Sequence, residues 1–277
     1  MSKKHTTISD YHIHSCFSLD SKNEPRELIE EAIAKGLKTI CITDHNDKDY
    51  PLQHGYMDPV FDIDEYYKTF SALQAEYQGR IDLRIGVEIG LQPHLVEYFN
   101  AFTSVYPLDY ILGSVHVVNG SDPYSREIFI NRTDEEVYTE TFLVTLYNIQ
   151  SDTDFDVLGH LDYVTRYGTY QDRDYSYAKF ADHIDSILQK LIADGRGIEL
   201  NTAGFKHGLS YAHPHSDILK RYRELGGEII TVGSDAHRPG QVAYEFDRVK
   251  DILLACGFAY YTEYRNRKPY FHKIIQI

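Results

Sequence analysis

Short apolar runs rich in β-branched residues recur along the chain, and each is followed by a segment whose apolar positions fall three and four apart. The runs predict strands over residues 8–14, 38–45, 83–90, 109–116, 156–162, 197–203 and 228–237. The segments between them predict helices, most clearly in EPRELIEEAIAKGL, where Leu28, Ile29, Ala32 and Ile33 share one face, Pro25 stands near the start and Gly36 near the end. Further helical periods cover roughly residues 62–78, 133–150, 175–193, 215–225 and 243–256. Strand followed by helix, about seven times over, implies parallel strands joined by helical crossovers. No Pro-, Gly- or Ser-rich linker and no low-complexity tract divides the chain, so we expect one α/β domain over residues 1–277, a barrel of about seven units. An open doubly wound sheet would show the same pattern, because counting strands does not reveal closure.

Composition narrows the chemistry. The length of 277 residues suits a single barrel, and 42% hydrophobic with 25% charged residues suits a sizeable core. No run of about 20 apolar residues occurs, so no membrane span is expected. The amino-terminal lysines have no apolar stretch behind them, which argues against a secretory signal. Cys16, Cys41 and Cys256 lie far apart with no CxxC pair, as expected in a reduced cytoplasm. A net charge of -14 opposes a phosphate backbone, so nucleic acid is a poor expectation as partner. Oligomeric state leaves no trace in the pattern. Fourteen histidines stand out.

Those histidines and the acidic residues gather at the carboxyl ends of the expected strands. The first ends in His12-Ile13-His14, the second in Asp44-His45, the third carries Glu88 and the fourth ends in His116. The fifth ends in Gly159-His160-Leu161-Asp162, the sixth in Glu199-Leu200-Asn201 and the seventh in Ser234-Asp235-Ala236-His237. Barrel active sites assemble on this rim. Residues two apart on a strand point the same way, so His12 with His14, and Asp235 with His237, aim in pairs. Imidazole and carboxylate without thiolate suit Zn, Mn or Fe, and the number of donors exceeds the need of one tetrahedral ion. Two or three divalent ions fit better.

Each piece has an ordinary reading when taken alone. An HxH at a strand end can be exposed loop polarity, and Asp44 can cap a helix. Glu88 and Asp235, set in apolar runs, resist that reading because an unpaired buried carboxylate is costly. The remaining histidines take structural or solvent-facing roles: His5, His183, His207 and His272 by composition, His54, His94, His213 and His215 by their place in loops or helix starts.

The ordered set HIH, ITDH, GVEIG, GSVH, GHLD and GSDAH resembles the polymerase-and-histidinol-phosphatase (PHP) superfamily of metal-dependent phosphoesterases. The resemblance runs from about Ile8 to the carboxyl end. Within the superfamily the segments GHLDYVTRYG, ELNTAGFKHG and YYTEYRNRKPYF are most similar to the histidinol-phosphate phosphatases of histidine biosynthesis. The resemblance implies a distorted (β/α)7 barrel with a trinuclear metal centre. Carried over by position, the first metal takes His12, His14, Glu88 and Asp235, the second Glu88 with His116 and His160, and the third Asp20, His45 and His237. Asp20 stands where many relatives have histidine. Asp162 and Asp44 are expected to orient ligating imidazoles.

Such a site implies hydrolysis of a phosphate monoester, with a hydroxide shared between metals attacking phosphorus and Asp235, His237 or a metal-bound water protonating the leaving group. Glu88 is the expected bridge. Arg166 and Lys206 match positions where relatives bind phosphate, and Arg238, directly after the DAH, is a third cation for the same task. Loops 47–59, 117–132 and 204–213 would set the substrate. Three other readings stay open: a PHP phosphoesterase acting on a nucleotide or sugar phosphate, a non-catalytic PHP module, and a metal-storage or sensing module.

Overall fold

The structure, a computed structural model, describes residues 8–51 and 59–274. His5, His54 and part of the 47–59 loop therefore lie outside the described residues. Parallel strands β1 (Thr39–Ile42), β3 (Asp82–Gly90), β4 (Tyr110–Ser114), β5 (Val157–Leu158), β6 (Gly197–Asn201) and β7 (Ile230–Gly233) pair in chain order, and the short β2 (His45–Asn46) continues β1 against β3.

Closure comes from the first expected strand. Residues 8–14 form no regular strand, only single bridges from Asp10 to Ile40 and from Ile13 to Ala236. Their backbone nonetheless bonds on both sides. Tyr11 N donates to Val232 O and His14 N to Ala236 O, each at 2.8 Å, while Cys41 N and Thr43 N donate to Asp10 O and Ile13 O at 2.9 Å. The segment thus lies between β7 and β1 and completes the seventh place in the ring. The sheet is a curled parallel barrel, as expected, and the open doubly wound alternative is set aside.

Alternation along the strands sorts the side chains. On β3, Leu83, Ile85, Val87 and Ile89 join the core that packs beneath the helices. Arg84, Gly86, Glu88 and Gly90 take the other face, toward the barrel interior. The same parity on β6 sends Ile198 and Leu200 outward to the helices and Glu199 and Asn201 inward. The outer layer holds α1 (Pro25–Ala34), α2 (Ile63–Glu76), α3 (Val96–Thr103), α4 (Asp134–Ile149), α5 (Ala181–Ala193), the single turn α6 (Ala203–Lys206), α7 (Ser216–Glu224) and α8 (Val249–Ala255). Helix α1 buries Leu28, Ile29 and Ala32 and is closed at its start by a capping box between Glu24 and Glu27.

Two elements escape the periodicity reading. Helix α3 lies between two expected strands where no helix is read from the periodicity, and an antiparallel hairpin, β8 (Tyr260–Arg265) and β9 (Lys268–Lys273), ends the described chain. The hairpin plugs the amino end of the barrel. Tyr264 joins Tyr11, Cys41, Tyr110, Leu112 and Val157 in a small inner cluster, and Tyr11 donates its hydroxyl to Tyr264 O at 2.8 Å. At its turn Arg267 N donates to Asp109 O and Arg267 Nε to Asp156 Oδ2. The opposite, carboxyl rim of the barrel carries the clustered histidines and carboxylates. None of the described helices is long and apolar enough to cross a membrane.

Candidate metal centre

Glu88 sits fully buried on the inner face of β3, and five imidazoles converge on it. Its Oε2 lies 3.1 Å from His12 Nε2, 3.5 Å from His14 Nε2 and 3.0 Å from His45 Nδ1. Its Oε1 lies 3.2 Å from the Nε2 of both His116 and His160. Beside this group Asp235 Oδ1 lies 3.4 Å from His14 Nε2 and 3.5 Å from His237 Nδ1. Asp235 adopts a left-handed backbone (φ 53°), a conformation that Asp tolerates better than most residues, at the bend that follows β7. The rings of His45 and His237 both stack against His14, with centroids 4.2 and 4.1 Å from it and 5.9 Å from each other.

Four of the outer nitrogens are already committed. His12 Nδ1 meets Glu199 Oε1 at 2.7 Å, and His116 Nδ1 meets both Asp47 oxygens at 3.1 Å. His237 Nδ1 meets Asp235 O at 3.1 Å. His14 Nδ1 lies 3.2 Å from Ser18 Oγ, whose own proton goes to Asp44 Oδ1 at 2.6 Å. An Nδ1–H held by an acceptor leaves the Nε2 lone pair pointing inward. The inner atoms His14 Nε2, His45 Nδ1 and His237 Nε2 are buried and have no aligned hydrogen-bond partner. Lone pairs facing carboxylates at such distances repel unless protons or a cation lie between them. A borderline divalent cation matches this donor set of nitrogen and oxygen.

Four trios bring one donor atom each to within 4.8 Å of one another: His14, His45 and His237; His12, Glu88 and His160; His12, His14 and Asp235; and His45, Glu88 and His116. Eight of the nine expected ligands thus share these trios. The trio of His12, His14 and Asp235 falls within the expected first set, while others bring His12 beside His160 and His45 beside His116. Asp20, more than half exposed, belongs to none of the trios. Its Oδ2 lies 2.9 Å from His237 Nε2 and 3.8 Å from His45 Nε2.

Electrostatics follow from the packing. Burial disfavours a charged carboxyl at Glu88, yet His12, His45 and His116 hold its pKa well below the ordinary value. Burial likewise opposes ionisation of Asp235, and His12, His14, Lys206 and Arg166 reverse it. Burial disfavours charge on His12, but Glu199, Glu88 and Asp235 together raise its pKa well above the usual imidazole value. His14 moves the other way, lowered by burial and by the neighbouring His237 and His45.

The expected phosphate cations differ in placement. Arg166 is buried at the rim, its NH2 3.2 Å from Asp235 Oδ2 and its guanidinium over the Tyr163 ring. Lys206 Nζ donates to Asp235 O at 2.7 Å. Arg238 is exposed beyond them.

Two expectations about orienting groups need correction. Asp162 touches no imidazole of the cluster; its Oδ1 meets His213 Nδ1 at 2.5 Å and its Oδ2 accepts from His215 N and Tyr175 OH. The loop carrying His213 folds back against β6, through the Asn201–His213 bridge, and takes this carboxylate for itself. Asp44 acts one step removed, through Ser18. The groups that do orient the cluster are Glu199, Asp47 and Ser18. Of these only Glu199 lies on a regular strand, where its inward parity with Asn201 is the signal that marks it. A second unforeseen feature is Asp122, which accepts from the hydroxyls of Tyr50 and Tyr163. The Tyr163 ring lies 5.1 Å from His160 and 5.8 Å from His116, so an acidic, aromatic wall borders the centre.

A family model for the PHP domain matches residues 10–203, which include the cluster from His12 to Glu199. The chain belongs to the PHP-domain family. Histidinol-phosphatase of Lactococcus lactis is 33% identical to this PHP protein over 250 residues, covering 90% of this chain and 91% of the relative. A probable histidinol-phosphatase of Clostridium acetobutylicum is 32% identical over 250 residues, covering 90% and 94%. The crystal structure of the Lactococcus lactis histidinol phosphate phosphatase, solved with zinc, L-histidinol and phosphate, superposes on this PHP fold with a TM-score of 0.86 at 32% identity, covering 95% of this chain and 99% of that one.

Proposed function

We propose that this PHP protein hydrolyses L-histidinol phosphate to L-histidinol and phosphate, a step of histidine biosynthesis. The observation that carries the proposal is Glu88 ringed by five inward-facing imidazoles at 3.0–3.5 Å, a centre built to hold cations at the open rim of the barrel. The likeness of the whole chain to phosphatases of that name supports the substrate. We read residues 1–277 as one PHP-type domain acting in the cytoplasm, a reading that its three unpaired cysteines suit.

The residues to hold two or three divalent ions, Zn, Mn or Fe, are His12, His14, Glu88, Asp235, His116, His160, His45 and His237, with Asp20 closing the outermost place. Ions there supply Lewis-acid neutralisation of the phosphoryl oxygens and a water of lowered pKa. The chain's own groups do the rest. Glu199, Asp47 and Ser18 fix the imidazole tautomers, so the donor atoms need no reorganisation. Arg166 and Lys206 flank Asp235 and offer positive charge to the phosphate, and the exposed Arg238, directly after the DAH, can add to it. The three N–H groups of Arg166 not used in its two hydrogen bonds can receive anionic oxygens. Asp235 and His237 stay beside that position, where the ester oxygen would depart. The amine and imidazole of histidinol suit the wall of Asp122 and Tyr163, since cations are attracted to carboxylates and aromatic faces.

The test is phosphate release by metal-reconstituted protein from L-histidinol phosphate and from a panel of nucleotide and sugar monophosphates. We expect the histidinol ester to be preferred by about tenfold or more in kcat/KM, as removal of one charged contact implies. Faster turnover of another monoester would replace the substrate. Absence of phosphate release from every ester would end the enzymatic reading in favour of a binding module.

A further inference from the structure

Arg166 is held by a partner that the proposed reaction does not use. Its Nε donates to His213 Nε2 at 2.9 Å, and His213 Nδ1 lies 2.5 Å from Asp162 Oδ1. His213 is fully buried, its backbone locked to Asn201 by hydrogen bonds of 2.6 and 2.8 Å. Asp162 is equally buried and is fixed through its other oxygen by His215 N at 2.8 Å and Tyr175 OH at 3.0 Å. This is a rigid relay of four buried groups, Asp162, His213, Arg166 and Asp235, that ends at the metal centre.

The relay has one consistent arrangement of protons. Guanidinium only donates, so His213 Nε2 must accept, and the ring proton must sit on Nδ1 facing Asp162. With Nε so engaged, only one edge of the fork reaches Asp235, and it meets Oδ2 alone at 3.2 Å. Asp235 Oδ1 stays free for His14 and His237, 3.4 and 3.5 Å away. Arginine and carboxylate otherwise prefer to pair through two parallel hydrogen bonds. An untethered Arg166 would close over both oxygens of Asp235 and turn its donors away from an incoming anion.

We propose that His213, anchored by Asp162, is a positioning residue that holds the Arg166 guanidinium open as a phosphate clamp and keeps it from closing on Asp235. The inference rests on the phosphatase reading only for the identity of the anion.

Two substitutions of similar size and polarity separate positioning from packing. In His213→Gln the amide reaches the place of Nε2 and can accept from Arg166; in His213→Asn it reaches only the place of Nδ1. The full-length, metal-reconstituted protein is titrated calorimetrically with inorganic phosphate, and KM and kcat are measured with L-histidinol phosphate. His213→Asn should weaken phosphate binding and raise KM by about tenfold, the loss of one charge-assisted hydrogen bond, with a smaller change in kcat. His213→Gln should stay within about threefold of the parent on the same scale. In an Arg166→Met background the two variants should no longer differ, because an effect that acts through Arg166 has nothing left to act on.

Equal behaviour of the Gln and Asn variants, a difference that survives the loss of Arg166, or a parent protein that binds no phosphate would each overturn the proposal. If both His213 variants fold poorly, Asp162→Ala takes their place, and unweakened phosphate binding in it would count the same way. The parent reading fails separately. A Gln–Asn contrast in phosphate binding without turnover of histidinol phosphate removes the substrate and leaves the clamp.

Discussion

His12 Nδ1 lies 2.7 Å from Glu199 Oε1, and that contact decides which of its nitrogens faces Glu88. The other Glu199 oxygen accepts from His160 N at 3.0 Å and Asn201 Nδ2 at 3.1 Å, so the carboxylate spans two of the convergent histidines. An amide does not reproduce this. In Glu199→Gln the NH2 group must face either the two N–H donors or His12 Nδ1. We expect metal affinity and turnover to fall ten- to a hundredfold, about the cost of losing a group that orients a ligand. Metal titration of the purified variant measures it, and parent-like affinity would show that the ring needs no such support.

Glu88→Ala removes the atoms on which five imidazoles converge. Bound metal and phosphate release should both fall by at least about a hundredfold, more than the loss of an outer group. Elemental analysis beside an activity assay decides the matter. Retained turnover with retained metal would displace Glu88 from the centre.

Gly233 on β7 has no room for a side chain, since a Cβ there would collide with Glu199 Oε1 and with the Cβ of His12. Gly233→Ala should cost on the order of 1–3 kcal/mol and lower metal occupancy, because the carboxylate and the imidazole must both shift. A thermal melt with metal analysis tests this, and an unchanged melt with full occupancy would contradict the close packing.

Stripping the metal should make stability depend on pH in a defined direction. Burial disfavours charge on His12, and Glu199, Glu88 and Asp235 override it; at His116 burial is overridden by Asp47 and Glu88. Both imidazoles therefore titrate above the ordinary value when no cation is bound. A raised folded-state pKa adds stability that is complete below the unfolded value and is lost as pH rises through the folded one. Metal binding has the opposite slope, since the ligating nitrogens must be deprotonated. The gap in Tm between loaded and stripped protein should widen from about pH 6 to about pH 8 around the usual imidazole value. A gap that stays flat across this range would mean that His12 and His116 are neutral in the metal-free protein.

Much of this site is legible in the chain because strand periodicity is rigid. Once residues 83–90 are a strand with apolar alternate positions on the helix side, Glu88 has to face inward, and the same parity delivers Glu199 and Asn201. Polar residues at seven successive strand ends then share one rim by topology alone. The first element shows the limit. His12 and His14 reach the rim although residues 8–14 carry only isolated bridges and close the barrel through backbone bonds to both neighbours.

What the sequence determined by itself was the parallel α/β architecture, the inventory of imidazole and carboxylate donors, and their common end of the barrel, because all of these follow from local periodicity and chain order. Only the tertiary structure decided the pairings. It gave Asp162 to His213 instead of to a cluster imidazole, brought Asp47 to His116 across 69 positions, and turned the tail into the plug beneath Tyr11 and Tyr110. The physical reason is that hydrogen bonds between loops depend on distances of a few tenths of an ångström and on which acceptor arrives first at a buried donor. No repeat along the chain encodes that contest.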